Sequence, residues 1–152
     1  MSIDYIVASL PPLAFDAPAP MSLETFAAAA PGADRIVAES GWRDLEAILR
    51  NAMAEGRGGA KYARPAEGCS PYWKNRVLAC FAERDVAKRQ DMLDRTWWDA
   101  AGELTPPASP LGPGALATYA VRLGIALRRS AASAARGTAA FDRLTAETRR
   151  PA

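Results

Sequence analysis

The sequence predicts a mainly α-helical fold: a small bundle of four to six helices opened by one short N-terminal strand. Three observations carry this. Apolar side chains recur at spacings of three and four along four separate stretches, which places each set on one face of a helix. Serine, proline and glycine stand where helices start and stop. Alanine, the strongest helix former, supplies 34 of the 152 residues, whereas Leu, Ile, Val and Phe together number 27. A chain of this length suits one domain, spanning 1–152.

The elements follow in order. Ile3, Tyr5 and Val7 alternate with Ile6, Ala8 and Leu10, the period of two of a short buried strand, and Pro11 and Pro12 stop it. Residues 1–20 then read as an extended N-terminal segment in which Leu13 and Phe15 fold back as apolar anchors. Ser22 caps a helix over Leu23 to Ala30, with Glu24 in its first turn, and Pro31-Gly32 closes it. Trp42, Leu45, Ile48, Leu49, Ala52 and Met53 form the stripe of a second helix ending at Glu55, with Gly56 as its cap. Residues 56–69 hold four glycines and a proline and read as a flexible loop.

Ser70-Pro71 starts the third helix, since proline at the first helical position loses no hydrogen bond there, and Trp73, Val77, Cys80 and Phe81 share its face. A break near Glu83 to Val86 leads into a fourth helix reaching Leu104, with Val86, Leu93, Trp97, Ala100, Ala101 and Leu104 on its apolar side. Trp97 and Trp98 lie about 100° apart around that helix, so one enters the core and the other its margin, and Trp97 shares the stripe. After Pro106, Pro107, Pro110 and Pro113, a last helix from Gly114 carries Leu116, Tyr119, Ala120, Leu123 and Leu127. It fades through Ser130 to Ala135, resumes at Phe141 and Leu144, and frays over 145–152. The expected core is Trp42, Leu45, Leu49, Val77, Phe81, Leu93, Trp97, Leu116, Tyr119 and Leu123.

Composition excludes several chemistries. The chain has no histidine, which removes His-based triads and His-ligated metals. Cys69 and Cys80 stand eleven apart with no CxxC pair, and read as reduced structural thiols. The run from Glu55 to Lys61 has the glycines and lysine of a phosphate loop, but no Ser or Thr follows Lys61 and a helix precedes it where a strand is required. Asp99 and Glu103 fall four apart on one face, yet Arg95 sits four before Asp99, so they read as a solvated charge stripe. No catalytic residue, cofactor or metal is expected. The longest apolar runs are far short of the roughly 20 residues a membrane span needs, and Asp4 stands where a signal peptide would be basic, so a cytoplasmic location is expected.

Charge is uneven. Residues 1–60 carry a net −4, residues 61–111 a net +1 and the remainder a net +5. Arg122, Arg128, Arg129 and Arg136 make the last helix the basic element and the candidate partner-binding surface. The same arginines are the basis of an alternative reading as a nucleic-acid-binding module, although no aromatic side chains interleave with them after Tyr119.

The opening run from Tyr5 to Pro11, Phe15-Asp16 and the segment from Met21 to Phe26 resemble the start of a family of small bacterial proteins encoded beside V-type ATPase genes. The segment from Arg84 to Asp94 leading into Trp98, and Tyr119 to Leu123 followed by Arg128, Gly137 and Phe141, are similar to its later helices. The resemblance implies a helical, non-catalytic accessory or stalk subunit, related in role to the funnel-shaped piece that links the rotor stalk of V/A-type ATP synthases to the membrane ring. It further implies a place on the cytoplasmic face of the inner membrane, held through other ATPase subunits without direct membrane insertion.

Overall fold

The computed structural model describes residues 1–59, 61 and 70–148, excluding the side chains of 133–137. Mainly helical architecture is observed, and the described residues contain no strand. The N-terminal segment is instead a helix, α1 (Ile3–Ser9), whose Tyr5 N–H bonds the Ser2 side chain. Ile3, Ile6, Val7 and Leu10 satisfy helical spacing as well as strand alternation, and helix wins because all four pack against the same apolar cluster. As a strand, the segment would have left its backbone groups without partners.

Helix α2 (Leu23–Ala29) begins as expected, with Ser22 accepting from the Thr25 N–H at 3.1 Å. Helix α3 (Ala33–Glu39), absent from the sequence-based expectation, follows directly. Gly32 and Gly41, at φ +81° and +85°, occupy the left-handed region at the starts of α3 and α4, so the chain reverses twice in few residues. Helix α4 spans Trp42–Gly56, and α5, Pro71–Cys80, opens on its proline, although the Ser70 side chain makes no capping bond. Most of the expected 56–69 loop lies outside the described residues.

Asp85 caps α6 (Val86–Ala101), accepting from the Lys88 N–H at 3.0 Å, and the expected break before it is present. Val86 is 75% exposed and does not belong to the apolar face; it is the first residue of the helix, ahead of the turns whose side chains are buried. A 3₁₀ turn at Gly102–Leu104 leads to α7, Pro113–Thr148. The helix neither fades at the alanine run nor frays at 145–148: its 36 residues are continuous, which alanine's propensity favours without tertiary help. Residues 149–152 lie outside the described residues.

Helices α4, α5 and α6 form one layer around Trp42, Leu49, Trp73, Val77, Cys80 and Leu93. Helices α1, α2 and α3 gather around Ile6, Phe26, Ala30 and Ala33 against Leu116 and Leu123 of α7. Helix α7 joins the two groups. A third cluster, Trp98 with Ile125 and Ala126, closes the seam beneath Leu13 and Phe15, which act as the expected anchors. At the start of α7, Gly114 sits so close to the Leu104 carbonyl that no side chain fits. Thr118 secures this crossing, donating to the Ala101 carbonyl at 2.9 Å within a hydroxyl pair with Thr105.

Candidate functional site

The four arginines proposed as a binding surface meet different fates. Arg122, half-buried, donates from Nε to the Trp98 carbonyl at 3.0 Å and lies 5.2 Å from the Trp98 ring centre. Burial pushes its pKa down; the nearby Asp99 charge opposes this, and Arg95 adds to it. Arg128 and Arg129 both reach Asp94 of α6, at 2.5 and 3.2 Å, and Arg129 also meets Asp91 at 2.9 Å. The Arg136 side chain lies outside the described residues.

Asp94 organises this cluster. It is 5% exposed, and Gln90 donates to it from one turn earlier at 2.9 Å. Helix spacing aims Gln90, Asp91 and Asp94 toward α7, while Arg128 and Arg129 arrive as neighbours on the facing helix. Phe15 covers the adjoining space: the Arg129 guanidinium lies 4.0 Å and the Arg95 guanidinium 5.0 Å from its ring centre, and Trp98 meets it edge-on at 5.7 Å. The N-terminal segment is thereby clamped over the α6–α7 seam by stacked cations and rings. Replacing Asp94 with asparagine leaves both guanidinium groups without their carboxylate. The expected cost is about 1–3 kcal/mol, checked by urea unfolding, and an unchanged midpoint would show the cluster to be energetically idle.

The acidic stripe also works within the fold. Asp99 pairs with Arg76 of α5 and, at 3.5 Å, with Arg95. Burial disfavours the Arg76 charge, but the hydrogen bond and charge of Asp99 outweigh it and hold its pKa above the ordinary value. Glu103 accepts from the Trp73 indole at 2.6 Å. Tyr119 donates to the Pro11 carbonyl at 2.8 Å, stacks on Phe26, and is held neutral to higher pH by burial.

Two surfaces remain open. The first is the outer end of α7, where every described side chain from 138 to 148 except Thr145 is exposed, including Phe141 at 68% and Leu144 at 63%. The second is a cleft of about 590 Å³ walled by α2, α3, α4 and α7, with an apolar floor and the charges of Asp34, Glu46, Arg50 and Arg128 around it. Among the described residues, no group of three or more His, Cys, Asp or Glu side chains is placed to hold a metal, and no helix is long and apolar enough to cross a membrane.

No protein-family model, curated protein or solved structure matches this chain. Sequence reasoning located the arginines but missed Asp94 and Phe15 as their partners. The signal present for Asp94 was the Gln90–Asp94 spacing on a helix facing a basic one.

Proposed function

We propose that this protein is a non-catalytic accessory or stalk subunit of a bacterial V/A-type ATPase, acting through protein–protein association at the cytoplasmic side of the membrane. The observation that carries the reading is the outer end of α7, a helical arm that leaves the core with Phe141 and Leu144 exposed one turn apart. An apolar pair on a projecting helix is suited to a groove on another subunit. The sequence resemblance that begins at Tyr5 to Pro11 supplies the identity of that assembly. Arg122, Arg128 and Arg129 serve mainly to lock α7 to α6 and the N-terminal segment, which leaves less of the basic helix for nucleic-acid phosphates.

Purifying the tagged protein from its host in mild detergent tests the reading. ATPase subunits are expected to accompany it and to be lost from a Phe141→Asp, Leu144→Asp variant. Recovery of none of them overturns the proposal. Retarded migration of DNA or RNA that disappears steeply with added salt would favour the nucleic-acid reading instead.

A further inference from the structure

The cleft and the arm have complementary shapes and opposite charge. We propose that the outer end of α7 from one protomer lies in the cleft of a second copy of this chain, giving a twofold dimer with two equal arm-in-groove contacts. This inference goes beyond the accessory-subunit reading and does not depend on any ATPase partner.

The groove is built to receive a helix. Phe26, Ala30, Val37, Trp42, Trp97 and Ile125 line it, small residues sitting between large ones, and its volume of about 590 Å³ accommodates more than one large side chain. Leu23, 58% exposed, stands at its lip. The arm presents Phe141 and Leu144 at a spacing of three, which puts both on one face as a pair of anchors.

The chain cannot fill its own groove with this arm. Ile125 lines the cleft, and Phe141 lies 16 residues farther along an unbroken helix, about 24 Å away at 1.5 Å per residue. A second molecule carries the same arm outward and can turn it back. Charge favours the pairing: residues 21–56, which supply three of the four walls, hold six acids and three arginines, whereas residues 130–152 hold four arginines and two acids. Twofold symmetry uses each arm and each groove once, which doubles the buried surface toward the roughly 1,200–2,000 Å² typical of a stable complex and leaves no open end.

Sedimentation of the purified full chain tests this, at concentrations up to roughly 100 μM to reveal micromolar affinity. The expected mass is that of two chains. The Phe141→Asp, Leu144→Asp variant and a separate Ala27→Arg variant, which places a charged side chain in the groove, should each sediment as one chain, with the far-ultraviolet circular dichroism of the parent. Ala27, Phe141 and Leu144 are exposed, so these substitutions spare the core. A wild-type chain that remains a single molecule overturns the proposal, as does a dimer that survives either variant. Ala27→Arg also separates the two readings, because it should abolish the dimer and leave ATPase subunits co-purifying.

Discussion

Replacing Trp98 with alanine is expected to lower stability by about 3–5 kcal/mol, a large share of what a domain of this size has to lose. Trp98 is 6% exposed and packs where three parts of the chain meet: α6, Ile125 and Ala126 of α7, and Phe15 of the N-terminal segment. Its removal opens a cavity and deprives the Phe15 ring and the Arg122 guanidinium of an aromatic partner. Trp97, half-buried at the edge of the first cluster and in the wall of the open groove, should cost roughly 1 kcal/mol when truncated in the same way. Urea unfolding of the two variants side by side gives the comparison. Equal losses, or a larger loss at Trp97, would mean that α6 is rotated about its axis, with Trp97 turned into the core.

The second large effect is at Leu123. This residue is fully buried on α7 and sits in the cluster that holds Ile6, Phe26, Ala30 and Ala33. Leu123→Ala should cost about 2–5 kcal/mol, because the helices around it are fixed elsewhere and cannot collapse into the space. Leu144→Ala, on the same helix but 63% exposed, should change the stability of the single chain by no more than about 0.5 kcal/mol. Thermal melts of the two variants under conditions where the chain is monomeric distinguish the packed half of α7 from its projecting half. A comparable destabilisation at Leu144 would place the arm inside the fold and remove the basis for its role as a docking element.

These two contrasts also mark how far the sequence can be read. Trp42, Leu49, Val77, Leu93, Leu116 and Leu123 are legible as core from periodicity alone, since each falls on a stripe long enough to define one helical face. Ser22 and the Ser70-Pro71 pair likewise mark helix starts where the helices begin. Residues 1–10 are a different case. Seven helical residues contain too few turns for a period of 3.6 to be told from a period of two, and the decision rests on what the segment packs against. Helix α3 is hard to see in the sequence because two glycines bracket it, and a glycine at a helix start looks like one in a loop.

The arginines show the same division. Their clustering on one helix, and the positive sign of that end of the chain, are plain in the sequence. Whether they face a partner or the chain's own acids depends on which side of α7 meets α6, and that follows from the packing of Trp98 against Ile125 and Ala126. Local rules therefore determined the helical class, most helix starts and the apolar stripes, because those depend on neighbours within a turn or two. Tertiary structure alone decided the state of the N-terminal segment, the choice between Trp97 and Trp98, and the burial of Asp94 beneath two guanidinium groups. Each of these turns on contacts between residues remote in sequence, whose energies no local pattern encodes.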